Sequence, residues 1–281
     1  MPMTQQDIQQ HYEQEWKRLS DRAATGGDLR YSSPIEDAVV YPAYQELIAD
    51  LKIRVQGGSV LDVGCGSGRW ARYFLDRFQP RRLVGIDVTQ ASVDLLRQMK
   101  PPNTGCELRF ERADITTAQF DLGETFDLIN VSNVLFHIPE EELYAAALAN
   151  LAGHLAPDGR MVTTEYLPRI TMRTEWMLVR SRYHFEHAVR AAGLRIVGVR
   201  AFSIFSNDPM GLDGPDDGAR KSFNRVRNLS QTMLKSANDD QTRQFLVDFL
   251  AEIERAVLMF CRERIADVDM PSQKLVALAR N

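Results

Sequence analysis

The sequence predicts an α/β fold: a seven-stranded, mostly parallel, doubly wound sheet with helices on both faces. Two observations predict it. From residue 59 onward, short apolar runs rich in Val, Ile and Leu alternate with segments of helical period, as expected of parallel strands joined by crossover helices. The first of these runs ends in three glycines at alternate positions, Gly64, Gly66 and Gly68, where a buried strand must turn sharply into a helix. Residues 1–55 precede that strand and a long helical region precedes the last one, so an N-terminal helical extension and a helical insertion complete the prediction.

Taken in order, Thr4–Ser20 reads as an amphipathic helix with Ile8, Tyr12, Trp16 and Leu19 on one face. After a loop containing Gly26 and Gly27, Pro34–Leu51 reads as one or two short helices, with Val39, Tyr44, Leu47 and Ile48 inward. Strands are predicted at Ser59–Val63, Arg82–Asp87, Glu107–Arg112, Phe126–Val131 and Gly159–Thr164. Helices are predicted at Arg69–Phe78, Gln90–Met99 and Pro139–Leu155, the last opened by a proline and two acidic residues that suit its N-terminal dipole. Arg180–Ala192 is a helix ended by Gly193, Leu194–Ala201 the sixth strand and Gln273–Arg280 the seventh. Between those two strands lie a turn-rich stretch, Asn207–Gly218, and the helical region Ala219–Val268, expected to act as a lid or an oligomer contact. In domain terms this is a helical cap (1–55), a core (56–205), an insertion (206–270) and a last core strand (271–281).

Composition narrows the function classes. With 44% hydrophobic and 26% charged residues the chain can bury a large core, and a net charge of −4 provides no global positive field for nucleic acid. Cys65, Cys106 and Cys261 are scattered, which opposes a disulfide framework or a zinc cluster and favours a reducing compartment. The polar amino terminus lacks a signal-peptide core, and no apolar run approaches the roughly 20 residues that span a bilayer. The expectation is a cytoplasmic protein with neither membrane nor nucleic acid as partner.

The glycine spacing separates nucleotide classes. A dinucleotide fingerprint is G-x-G-x-x-G, whereas here the third glycine comes one residue early, and no P-loop lysine follows. Asp62-Val63-Gly64-Cys65-Gly66-Ser67-Gly68 instead resembles the first motif, D/E-x-G-x-G-x-G, of the class I (Rossmann-like) S-adenosylmethionine-dependent methyltransferase family. The resemblance implies S-adenosylmethionine as cofactor, S-adenosylhomocysteine as product and no metal. It makes residues 56–205 the cofactor-binding core, with Gly64, Gly66 and Gly68 cradling the methionine part and Asp62 helping to position it.

Asp87 and Val88 close the second strand, and a carboxylate there can accept two hydrogen bonds from a ribose diol. The alternative is a cap for the following helix, a task open to Thr89 as well. By the same resemblance Asp114 accepts from the adenine amino group and Ile115 packs on the ring. Phe126–Pro139 resembles the FDxVxxxxVLxHxP block common in small-molecule members, which implies Val131 and Ser132 over the cofactor and His137 near the sulfonium. The resemblance covers Ser59–Leu167; the flanks match only in outline.

Methyl transfer from a sulfonium is an in-line displacement that rests on alignment and water exclusion, and it needs a base only if the acceptor must lose a proton. His137 is the first candidate base, with a loop-holding structural role as the alternative; Glu165, just past the fifth strand, is the second. Candidate substrate contacts are Tyr12, Trp16, Tyr31 and Tyr44, for which ordinary core packing is the alternative. His184 and His187 are spaced i, i+3 without a third ligand, which favours a surface role over metal binding. Arg220, Lys221, Arg225, Arg227 and Lys235 form a basic helix, either a solvated face or a grip on an anionic group.

The expected activity is methylation of a small molecule (a sugar, natural product or related metabolite), at oxygen in the first instance, with nitrogen and carbon as alternatives. Methylation of nucleic acid or protein is a further alternative. For nucleic acid it is opposed by Asn130-Val131-Ser132-Asn133 where amino-methylating DNA and RNA enzymes of the resembled fold often carry Asn/Asp-Pro-Pro-aromatic, and by the lack of the Pro-Cys nucleophile that the cytosine-carbon enzymes need. A non-catalytic cofactor-binding partner protein is the reading from another class; the intact glycines and both strand-end aspartates oppose it. If the insertion is an oligomer contact rather than a lid, the assembly it implies is a homo-oligomer.

Overall fold

The computed structural model describes residues 3–24, 34–99, 105–205 and 218–281. Helices α1 (Gln5–Ala24) and α2 (Pro34–Asp50) precede β1 (Ser59–Val63), α3 (Arg69–Phe78), β2 (Arg82–Asp87), α4 (Gln90–Arg97) and β3 (Glu107–Arg112). Then come β4 (Phe126–Val131), a 3₁₀ turn (Leu135–His137), α5 (Glu141–Gly153), β5 (Leu155–Glu165), the short strands β6 (Met172–Arg173) and β7 (Leu178–Val179), and α6 (Arg182–Ala191). The chain ends with β8 (Leu194–Ser203), α7 (Gly218–Ser236), α8 (Asp240–Arg262), a 3₁₀ turn (Asp267–Asp269) and β9 (Gln273–Arg280).

Seven strands form one sheet in the order β3-β2-β1-β4-β5-β9-β8. Its pairings are parallel from β3 through β5, and β9 runs antiparallel to both of its neighbours. Period-two alternation explains the two covered faces. Val60, Leu83, Leu128, Val162, Leu275 and Ala277 pack toward α2, α3 and the inner side of α8. Their neighbours Leu61, Val84, Ile129, Met161, Val276 and Leu278 pack toward α5 and α6. With both faces covered, β1 is buried along its whole length, which is why it reads as a continuous apolar run.

Several expectations are corrected in detail. Pro34–Asp50 is one helix although Pro42 lies inside it and has no N–H to donate to the preceding turn. Burial of Ile35, Val39, Val40, Ala43, Tyr44, Leu47 and Ile48 holds the helix across that gap. The fifth strand is longer than predicted, beginning at Leu155, because Leu155 already pairs with Phe126 before an irregularity shifts the register to Arg160 opposite Leu128. The β6–β7 pair was not predicted; strands of two residues leave no periodicity to read. The turn-rich stretch 207–217 lies outside the described residues.

Strand order reverses between β1 and β4, whose carboxyl ends diverge to either side. Such a switch point is where open α/β sheets bind ligands. Helix α1 lies across it, with Trp16 and Leu19 packed on Ala91 of α4.

Candidate active site

The glycine turn is built as its spacing requires. Gly64, Gly66 and Gly68 adopt φ values of +65°, +50° and +80°, a region that penalises any side chain with a Cβ. Space is equally restrictive: a Cβ on Gly64 would collide with the Val134 side chain, and one on Gly66 would lie 2.9 Å from the Trp16 ring. The loop is braced from the next strand and helix. Gly66 N–H donates to Asp87 Oδ2 (3.0 Å), and Ser92 Oγ donates to the Gly66 carbonyl (2.7 Å).

Asp87 therefore ties the glycine loop to the end of β2. Its Oδ1 accepts from the backbone N–H (2.9 Å) and the hydroxyl (2.6 Å) of Thr89, so Asp87 orients the residue that precedes α4; Thr89 holds the N-cap position, and no side chain caps the helix. Burial pushes its carboxyl above the usual range, and these hydrogen bonds oppose that rise. Asp87 also lines the cavity wall, where a carboxylate can accept from the hydroxyls of a ligand. Asp114 is used in the same way: Oδ1 accepts from Thr116 N (2.9 Å) and Oγ1 (2.7 Å), and Oδ2 accepts from Gln9 Nε2 (3.2 Å) of α1.

These residues line a cavity of about 570 Å³ at the switch point, together with Val88, Ile115 and Ser132. That volume suits a small-molecule or cofactor site, typically ~300–1,000 Å³. The constellation fits S-adenosylmethionine: Gly64 and Gly66 without a Cβ at one end, the buried carboxylate of Asp87, and Asp114 beside an apolar Ile115. Asp62, Gly68 and Val131 do not line it. Gly68 caps α3 and approaches Leu96, and Val131 is core.

Asp62 lies beneath the loop in a buried network. Asn130 Nδ2 donates to Asp62 Oδ1 (2.8 Å), and Asn130 Oδ1 accepts from Tyr44 Oη (3.1 Å) and Ser132 Oγ (2.8 Å). Asp62 Oδ2 is buried without a hydrogen-bond partner, and burial pushes the carboxyl up to about 7. Tyr44, a candidate substrate contact from sequence, is thus a fully buried anchor for Asn130, packed on Trp70 and Phe74. Tyr31 lies outside the described residues.

Tyr12, Trp16 and His137 do meet at the cavity. His137 Nδ1 is 2.9 Å from the Trp176 carbonyl oxygen, which can only accept, so the ring carries its proton there. Nε2 is then the acceptor and receives the Tyr12 hydroxyl at 3.0 Å. Burial holds the imidazole pKa down at about 4. Glu165 does not reach the cavity. It is buried on the α5 side, accepts from Thr163 Oγ1 (3.0 Å) and is pushed up to about 7 by burial. Its place at the end of β5 misled because an outward-ending strand residue alternates between faces, and this one falls on the covered face.

Sequence reading missed Trp176 and Met177 of the β6–β7 turn, Gln9 and His11 of α1, Gln273 of β9, and the Glu36–Arg69 pair. Arg69 Nη1 donates to Glu36 Oε1 (2.9 Å) while its guanidinium also pairs with Asp37. The α1 contributions were half legible: Gln9 and Tyr12 lie on the face that carries Ile8, Trp16 and Leu19. No described residue of α7 or α8 lines the cavity, so among the described residues the insertion is not its lid; α1 covers it instead.

Comparison with known proteins agrees with this geometry. Residues 60–159 match the family model described as "Methyltransferase domain". The chain is 28% identical over 232 residues to phosphoethanolamine N-methyltransferase 1 of Triticum aestivum, covering 80% of this chain and 42% of that protein. It is 35% identical over 141 residues to trans-aconitate 2-methyltransferase of Variovorax paradoxus, covering 48% and 51% of the two chains. The chain thus spans about half or less of the length of these curated relatives. A crystal structure of the cyclase SpnF shares the fold, with a TM-score of 0.58 and 16% identity over 99% of this chain and 97% of that one. Residues 60–159 thus carry a match to a methyltransferase domain, and the glycine loop and strand-end aspartates built there resemble the cofactor site of the class I, Rossmann-like, S-adenosylmethionine-dependent methyltransferases.

Proposed function

We propose that the chain transfers a methyl group from S-adenosylmethionine to a small-molecule acceptor, at a hydroxyl oxygen, and that Tyr12 and His137 take up the proton released. The observation that carries this reading is the hydrogen bond from Tyr12 Oη to the unprotonated Nε2 of His137, at a cavity wall shared with Asp87 and Asp114. The bound cofactor supplies an electrophilic methyl on a sulfonium. The protein's own share is to align the acceptor, exclude water and provide a proton path.

An acceptor hydroxyl that donates to Tyr12 Oη passes its proton to that oxygen as Tyr12 passes its own to His137 Nε2. The alcohol becomes strongly acidic as its oxygen bonds to the methyl carbon, so a base as weak as a buried histidine suffices late in the displacement. The fixed Nδ1–H to Trp176 carbonyl bond stabilises the imidazolium formed. Gln9 joins α1 to Asp114, Gln5 N–H joins it to Glu140 (3.1 Å), and Trp16 roofs Gly66, which supports water exclusion by α1.

Methylation at nitrogen is the second reading. The name of the wheat relative favours it, as does a cavity wall containing Tyr12, Trp16 and Trp176, aromatic faces that suit a cationic amine. SpnF, described as a cyclase, shows that the shared fold alone does not fix the chemistry. A labelled-methyl transfer screen with matched hydroxylated and amino metabolites, read by product mass and fragmentation, tests the proposal. Methyl ethers support the oxygen reading; only N-methyl products would replace it with the second. A chain that binds S-adenosylhomocysteine but transfers to no acceptor in either set would oppose both.

A further inference from the structure

The outer side of α8 carries five of the exposed large apolar side chains among the described residues, Phe245, Phe249, Ile253, Met259 and Phe260, and the catalytic reading uses none of them. Its inner side is anchored: Val247, Ala251 and Leu258 are buried, and the buried Glu254 carboxylate accepts the Phe205 N–H at 3.0–3.1 Å. Farther along, Arg262 Nη2 donates to the Ala201 carbonyl (2.8 Å). With that side fixed, the opposite side presents Phe245, Phe249, Ile253, Ala256 and Phe260 to solvent. Phe245 and Phe260 are 67% and 63% exposed. The five recur at helical spacing and form a stripe about 22 Å long. A soluble protein rarely leaves so continuous a stripe uncovered.

We infer that this stripe is the self-association surface of the chain, joining α8 to α8 of a second copy in antiparallel, two-fold fashion. The sequence of the stripe is self-complementary about a dyad between Glu252 and Ile253. In that register Phe245 meets Phe260 of the second copy, and Phe249 meets Ala256, a large side chain against a small one. The charges follow the same symmetry. Asp248, Glu252 and Arg255 share one flank of the stripe, and antiparallel pairing sets each Arg255 between Asp248 and Glu252 of the other copy. Within one chain Arg255 already pairs with Glu252, so the dimer extends an existing ion pair into a network.

A second copy is favoured over an anionic lipid surface by the same charges. The exposed carboxylates Asp248, Glu252 and Glu263 border the stripe, and a negative bilayer would repel them. This inference does not depend on the methyl-transfer reading, because no described residue of α8 lines the cavity.

Sedimentation velocity of the full chain over 1–100 µM tests it. The expected result is a concentration-dependent species of twice the 31.9 kDa chain mass. Phe249→Glu and Ala256→Glu should each weaken dimerisation about 30-fold or more, with unchanged circular dichroism. Arg255→Glu and the double variant Asp248→Arg/Glu252→Arg should each weaken it about tenfold, and mixing the two should restore a heterodimer. A native chain that is monomeric throughout this range would overturn the inference. So would dimers indifferent to all four variants, or a monomer that floats with phosphatidylcholine/phosphatidylserine vesicles through Phe249.

Discussion

Tyr12 and His137, 125 residues apart in the chain, share a hydrogen bond of 3.0 Å, and the second ring nitrogen of His137 is committed to the Trp176 carbonyl. This pair joins the covering helix to the strand-end block, so under the proposed mechanism the helix that covers the cavity also supplies the first proton acceptor.

Tyr12→Phe removes the relay oxygen while keeping the ring that packs beside Trp16 and His137. Its expected effect is a fall in kcat of about 100-fold with little change in KM, the usual scale for a general acid–base group. His137→Ala should cost about as much. The double variant should be no slower than the worse single one, because both residues serve one step. Steady-state kinetics on the acceptor found in the screen checks this, and additive losses would separate the two roles.

Burial sets the pH dependence. Because His137 is held down at about 4 from an ordinary 6.5, Nε2 remains available across the neutral range. The profile of kcat/KM should therefore stay flat from pH 8 to about 5, without a step from this group near 6.5. An inflection near 6.5 that disappears in His137→Ala would show that the ring titrates as an exposed one.

The same shift affects stability. Between about 4 and 6.5 the unfolded chain holds a proton on His137 that the folded chain lacks, so this group makes stability rise with pH. Asp62 and Glu165 act oppositely: each is raised to about 7, binds its proton in the folded state, and loses stability as pH rises toward that value. Replacing His137 with Phe should leave the opposing groups alone, making the slope of unfolding free energy between pH 4.5 and 6.5 more negative by about 1 kcal/mol per pH unit. Urea unfolding at pH 4.5, 5.5 and 6.5 measures it.

Lys274 supports the far edge of the site. Its buried ammonium donates to the carbonyls of Tyr166 (2.7 Å), Met270 (2.7 Å) and Ser272 (2.8 Å), fixing the entry into β9, where Gln273 lines the cavity. Lys274→Met fills similar volume but removes the donor to three carbonyls, of which that of Met270 keeps the Ser272 N–H (2.8 Å). A loss of about 2–4 kcal/mol is expected, seen as a lowered midpoint in urea.

The sheet and cofactor loop were legible because their signals are local and redundant. The run into Gly64, Gly66 and Gly68 carries strand, turn and helix start within a few residues, and Asp87 ends the neighbouring strand in register with it. What could not be read depends on contacts between distant segments. Tyr44 looks like any apolar-face aromatic until β4 supplies Asn130 as its partner. Trp176 sits between strands of two residues, too short for a period. Glu165 shares its strand end with cavity residues yet falls on the opposite face.

The central claim, that the switch-point cavity is an S-adenosylmethionine site, is tested most directly by calorimetry with S-adenosylhomocysteine on the native chain and on Asp87→Asn. Asn keeps the shape of Asp87 but gives up its charge and replaces one acceptor oxygen with a donor. The account predicts micromolar binding by the native chain and an affinity at least about tenfold weaker in the variant, the scale of one charge-assisted hydrogen bond. No binding to the native chain, or equal affinity in the two, would contradict it.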